Sequence, residues 1–182
     1  LNLRNLSRQT ALLSIFAIGE TFVIIAGGID LSVGSMVAFT GVFSAHLLMR
    51  AQVAIAPTVL LALLGGVGVG AAHTLLVVRV GLPPFVATLG SLSILRSAAL
   101  LMTESVPIAI VSERFCALGN GEVAGIPVPV LCLLLVLPPA VALLHFTVAG
   151  RRLFAVGGNE EAARLSGVSL WRTKLLAYGI SA

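Results

Sequence analysis

Residues 51–78 read AQVAIAPTVLLALLGGVGVGAAHTLLVV, and these 28 positions between Arg50 and Arg79 carry no charge. The same is true of the 28 positions between Glu122 and Arg151. A helix needs roughly 20 apolar residues to cross a hydrocarbon core of ~30 Å. Each stretch therefore holds one full crossing with slack at its ends. Across all 182 residues the composition is 58% hydrophobic and only 10% charged, with a mean hydropathy of +1.11. That is too little charge to cover a soluble surface of this size. The fold class is thus an all-α, polytopic transmembrane helix bundle.

Working outward, five crossings and the start of a sixth are expected, at about Gln9–Ala26, Val33–Met49, Val53–Val78, Phe85–Thr103, Val128–Thr147 and from Leu170 onward. The whole of 1–182 reads as one partial membrane-spanning domain of a longer protein. Cys116 and Cys132 have no metal or disulfide spacing. The net charge of +4 fits a cytoplasmic bias of Arg and Lys better than nucleic-acid binding. His46, His73 and His145 fall on three different helices, so no metal site is expected. The sequence contains neither a nucleophile motif nor a phosphate-binding Gly-Lys-Ser/Thr loop, so no catalytic residue and no bound ATP are expected.

The basic loop decides orientation. Residues 150–174 hold Arg151, Arg152, Arg164, Arg172 and Lys174 against Glu160 and Glu161, which places this loop in the cytoplasm. Glu104–Ile126 then lies outside, the Asp30 turn inside, and Arg4 and Arg8 on the less favoured side. Trp171 suits the cytoplasmic interface. Glu20 and Arg96 lie inside predicted crossings, where charge is costly and faces protein or water, so they are candidate partners.

Three segments carry more detailed information. Gly27-Gly28-Ile29-Asp30-Leu31-Ser32-Val33-Gly34-Ser35 stops one helix and starts the next. Its glycines tolerate a left-handed stop, and Asp30 or Ser32 can cap the following helix. Asp30 and Ser32 are either a solvated turn or a break at membrane depth that lines a polar pathway. In Gly81-Leu82-Pro83-Pro84-Phe85-Val86-Ala87-Thr88-Leu89-Gly90 the prolines end one helix and open another. Thr88, Ser91 and Ser93 then bring hydroxyls that bond their own backbone or face a hydroxylated solute. In the third segment, Gly150–Val168, Asn159 is an N-cap, Glu160 and Glu161 suit the first turn, and Gly167 fits the stop. Ala162, Ala163 and Leu165 give it a small apolar surface for docking in a partner's groove, or for lying on membrane lipid. Gly157-Gly158 reads as a hinge. In the span 53–78, Gly66 and Gly70 form a small-residue pair for close helix packing within the chain or at a dimer seam.

Together, GGIDLSVGS, LPPFVATLG and GRRLFAVGGNEEAARLSGV resemble permeases of ATP-binding-cassette importers for monosaccharides, the group that includes the ribose, xylose and galactose systems. Glu161-Ala162-Ala163 with Gly167 also fits the EAA-x-x-x-G loop of importer permeases. The resemblance implies a transport subunit of the bacterial cytoplasmic (inner) membrane that is not itself an enzyme. It implies a cytoplasmic ATPase that binds ATP and Mg, an extracytoplasmic sugar-binding protein, and a second permease copy as a homodimer. Asn159, Glu160, Glu161, Ala162, Ala163 and Gly167 then form the coupling helix. Where the group has Asn-Gly, this chain has His73-Thr74. The rival readings are a branched-chain amino-acid permease of the same architecture and an ion-coupled secondary transporter using Glu20 and Asp30.

Single cysteines at Ser112 and Ser166 test the topology in a Cys-free background. An impermeant thiol reagent added to intact cells should label Ser112→Cys and spare Ser166→Cys. The reverse pattern inverts the orientation.

Overall fold

A computed structural model describes residues 2–108 and 112–182; Leu1 and positions 109–111 of the expected Glu104–Ile126 loop lie outside the described residues. In chain order the elements are α1 (Asn2–Ile25), α2 (Val33–Met49), α3 (Ile55–Thr74), α4 (Pro84–Thr103), α5 (Glu113–Asn120), a hairpin of β1 (Glu122–Val123) and β2 (Ile126–Pro127), α6 (Val128–Phe146), α7 (Val148–Gly158), α8 (Glu160–Leu165) and α9 (Leu170–Ser181). Wider π-type turns over Leu75–Val80 extend α3, so the apolar helix runs Ile55–Val80. Among the described residues four helices have the length and apolarity of membrane spans: Leu3–Ile25, Ile55–Val80, Pro84–Thr103 and Val128–Phe146. The helix α2 is apolar but shorter, at 17 residues.

The punctuation works locally as backbone geometry requires. Gly27 sits at φ +73°, and the Gly27 and Gly28 amides donate to Ile24 O and Val23 O at 3.0 and 2.9 Å. This paired bond is the Schellman stop, which satisfies two carbonyls of the last turn. The same motif ends α8, where Gly167 at φ +81° donates to Arg164 O and Val168 to Ala163 O, both at 3.0 Å. The α3 extension closes at Gly81, φ +80°, and Pro84 opens α4.

The element that organises the rest is α9, which packs against both α1 and α3. It approaches so closely that glycine is required. A Cβ on Gly70 would stand 2.6 Å from Tyr178 O, and one on Gly66 2.7 Å from Ala182 O. Gly19 of α1 meets Ser181 Cα in the same way, at 3.1 Å from its would-be Cβ. The Gly66–Gly70 pair is thus a seam within this chain. Buried Phe22, Val23, Ala26, Val77, Ala87, Leu153, Ala177 and Tyr178 fill the space where these helices and α7 converge.

The ends of the bundle sort as alternation of spans demands. Arg4 and Arg8 reach Glu122 at 3.3 and 3.8 Å, and Arg8 donates to Asn120 O at 2.9 Å. That contact joins the start of α1 to the β hairpin and offsets both arginines. At the other end, Gly157 abuts Ile25 O and Gly27, and the Arg79 guanidinium stacks 5.6 Å above the Trp171 ring.

Several sequence expectations need correction. The first helix begins well before Gln9, at Asn2. Gly150–Val168 is not one helix but two. Asn159 is extended between them, at φ −158°. Gly157 and Gly158 are helical, and a side chain at Gly157 would drive into Ile25 O. Gly157 is a packing point rather than part of a hinge, whereas Gly158 faces open space. The helix α5 and the hairpin were not foreseen.

The glycine seam makes a direct prediction. Gly70→Val should destabilise the detergent-solubilised protein by about 1–3 kcal/mol, because the neighbour it meets is backbone and cannot rotate away. Gly68→Ala faces open space and should leave the melting temperature near that of the parent.

Candidate functional site

Between α1 and α2 the chain runs through the helix bundle without regular structure, and polar groups close around it. Asp30 is only 6% exposed. Its Oδ1 accepts the Ser32 backbone N–H at 2.9 Å and the Ser32 hydroxyl at 2.6 Å. Its Oδ2 accepts the Ser181 hydroxyl at 3.3 Å and lies 4.0 Å from His73 Nδ1. The Asp30 N–H in turn donates to Glu20 Oε1 at 3.1 Å. The carboxylate thus folds its own loop into a tight turn, in the manner of an Asx turn. Neither Asp30 nor Ser32 caps α2 with its side chain, contrary to the expected role. The solvated-turn alternative is also excluded, since Asp30 and Ser32 are both buried.

The remaining sequence candidates are placed as follows. Thr88 is fully buried, and its hydroxyl lies within donating distance of Pro84 O at 3.0 Å and Ile29 O at 3.2 Å, tying α4 to the break. The half-buried Ser91 donates to Ala87 O at 3.1 Å, its own helix backbone. Arg96 is exposed on the α4 surface, with no hydrogen bond or ion pair among the described residues. The expected Glu20–Arg96 pair is therefore absent, and Glu20 serves the Asp30 amide instead.

Two residues to which the sequence assigned no role complete the cluster. His73 on α3 is fully buried, and its ring meets Tyr178 of α9 edge-on at 5.6 Å. The Tyr178 hydroxyl sits where a Gly28 Cβ would be, 2.7 Å away. Glu20 Oε2, both His73 ring nitrogens and the Tyr178 hydroxyl lack a hydrogen-bond partner. Leaving such groups bare costs about 1–3 kcal/mol each, so the cluster suits water or a hydroxylated guest. A cavity of about 150 Å³ opens beside Asp30, Ser32, Thr40 and Ser181. That far exceeds the ~10–15 Å³ that one water needs on this measure. Among the described residues no three His, Cys, Asp or Glu side chains gather as metal ligands.

The second place is α8. Asn159 Oδ1 accepts the Ala162 N–H at 2.9 Å, an N-cap as the sequence predicts. The helix does not present all its residues outward. Ala163 is buried, and Glu160 Oε2 accepts from Lys174 Nζ at 2.5 Å. What faces away from the bundle is Glu161, Ala162, Arg164 and Leu165, with Leu165 80% exposed. Phe154 of α7 is another exposed apolar side chain.

The structure thus combines a bundle of membrane-length apolar helices, a buried polar loop between α1 and α2, and a capped, exposed helix α8. The chain belongs to the family described as the permease component of the branched-chain amino acid transport system, whose pattern matches residues 2–182. Among curated proteins it is 35% identical to the ribose import permease of Haemophilus influenzae, with 99% of this chain and 57% of that protein covered. It is 37% identical to the ribose import permease of Bacillus subtilis, over 100% of this chain and 56% of the relative. A probable ABC transporter permease of Escherichia coli, YphD, is 38% identical over 99% of this chain and 54% of its own length. The chain thus spans a little over half the length of these relatives. No solved structure matches it. The resemblance to importer permeases holds, and the protein is a multi-pass membrane protein.

A Cβ at Gly28 collides with the Tyr178 hydroxyl and, less severely, with Val23 Cγ1 at 3.0 Å. Gly28→Ala should cost about 1–3 kcal/mol of stability. Adding Tyr178→Phe should recover part of that loss, measured as melting temperature in detergent. Strictly additive effects would show that the ring and the glycine do not share this contact.

Proposed function

We propose that the chain forms part of the translocation pathway of an ATP-driven importer of a monosaccharide in the bacterial cytoplasmic membrane. In this reading the chain does no chemistry itself. A separate cytoplasmic ATPase binds ATP and Mg and docks at residues 150–174. An extracytoplasmic sugar-binding protein delivers the solute, and a second permease copy completes the pathway as a homodimer. Asp30, Ser32 and the polar groups around them offer the donors and acceptors that a polyhydroxylated solute exchanges for water. The carrying observation is the outward surface of α8: a capped helix, stopped at Gly167, that holds Leu165 and Ala162 away from the bundle with Glu161 beside them. Apolar side chains so exposed at an aqueous face suit a groove on a partner, and Glu161 suits a basic side chain at its rim. The ribose import permeases among the relatives favour a sugar over an amino acid as the solute.

The test combines capture and uptake. Ala162→Trp and Leu165→Asp sit on an exposed surface and should leave membrane abundance near normal. Each should reduce recovery of the ATPase subunit in a pull-down and reduce D-ribose uptake by about tenfold or more, in line with hot-spot losses at interfaces. Full capture and full uptake in both variants would remove α8 as the docking helix. Uptake that collapses with an ionophore while ATP stays high would instead favour ion coupling through the adjacent Glu20 and Asp30.

A further inference from the structure

The helix α9 carries three polar residues at positions i, i+4 and i+7, which fall on one stripe of a helix. Each is held by a different part of the molecule. Lys174 donates to Glu160 of α8 at 2.5 Å. Tyr178 packs edge-on against His73 of α3, with its hydroxyl over Gly28. Ser181 donates to Asp30 at the break, at 3.3 Å. The stripe spans two helical turns, about 10 Å along the axis. One short rigid helix therefore touches both the exposed α8 and the buried loop.

We infer that Glu160 and Lys174 are a positioning pair that transmits movement of α8 through α9 to the Asp30 break. This rests on the reading of α8 as the docking helix and assigns Glu160 a different task from its neighbour. The two side chains are unequally exposed: the Lys174 side chain is 6% exposed and that of Glu160 49%. A buried ammonium needs its partner, so the carboxylate cannot swing away to a docking protein without stranding Lys174. Glu161, one residue on, is free to do so. Close backbone packing of Gly66 and Gly70 against α9 keeps the helix from absorbing the motion by yielding toward α3. Displacement of α8 then arrives at Ser181 and Asp30 rather than dissipating in the loop 166–169.

The experiment uses the full-length permease, reconstituted with its ATPase and binding protein and supplied with D-ribose. Glu160→Gln acts on a half-exposed side chain and keeps folding readable, while Lys174→Arg is the conservative control. Glu160→Gln should keep ATPase capture within about twofold of the parent but lower uptake about tenfold, so that more ATP is hydrolysed per sugar moved. Lys174→Arg should retain uptake. The charge reversal Glu160→Lys with Lys174→Glu should regain most of the uptake that either single reversal loses. A pair that merely stabilised the fold would lower abundance, uptake and hydrolysis together with their ratio unchanged, and that result overturns the proposal. So does a double reversal no better than the worse single one. Failure of the parent protein to capture the ATPase would instead refute the ATP-driven reading, and full capture by Ala162→Trp and Leu165→Asp the docking role of α8, failures distinct from these.

Discussion

Everything in this bundle depends on how near α9 comes to its neighbours. Bilayer hydrocarbon provides little hydrophobic drive between apolar helices, so association rests on contact and on polar bonds between them. Glycines at positions 19, 28, 66 and 70 remove the side chains that would hold α9 off, and the helix settles against the main chain of α3. That closeness lets Tyr178 reach His73 and lets Ser181 reach Asp30. A seam of larger residues would separate these groups and leave the irregular loop without a cover.

Local sequence makes the break, and packing supplies its cover. Loop backbone at membrane depth persists only where protein or enclosed water satisfies it. Here Glu20 takes the Asp30 amide, Asp30 takes the Ser32 amide, and Thr88 shares its proton with Ile29 O. Four polar atoms of this cluster stay unpartnered by protein. The cluster combines a fixed acceptor framework with polar atoms left to bond water.

What could be read from the sequence follows the range of each interaction. The bounds of α2, Val33–Met49, are as expected because both ends carry punctuation: Gly-Gly-Ile-Asp-Leu-Ser ahead and Arg50 behind. Gly167 and Asn159 likewise announce the ends of α8 through their own backbone chemistry. The roles of His73 and Tyr178 were not legible, since they meet across the bundle and neither carries a local motif. The departure from Asn-Gly at His73-Thr74 was the one available signal. Glu160 and Ala163 looked like surface residues because an isolated loop gives no hint that α9 folds back on it. The glycine pair 157–158 misled for the same reason: Gly157 is in contact with Ile25, and both glycines are helical. The hairpin at 122–127 turns through Ala124 and Gly125, both at positive φ, and offered too few apolar residues for the pattern to register.

The contact of Arg4 and Arg8 with Glu122 bears on biosynthesis. Arg4 precedes Glu122 by 118 residues. At about 5–20 residues per second, a ribosome needs on the order of 6–24 s to make the partner after the arginine has appeared. Throughout that interval neither guanidinium has its Glu122 partner, just when flanking charge ordinarily directs a helix across the membrane. The acidic residue arrives too late to instruct that choice. It can only latch an orientation already reached, so this contact is a lock on the finished bundle and not a guide to its insertion.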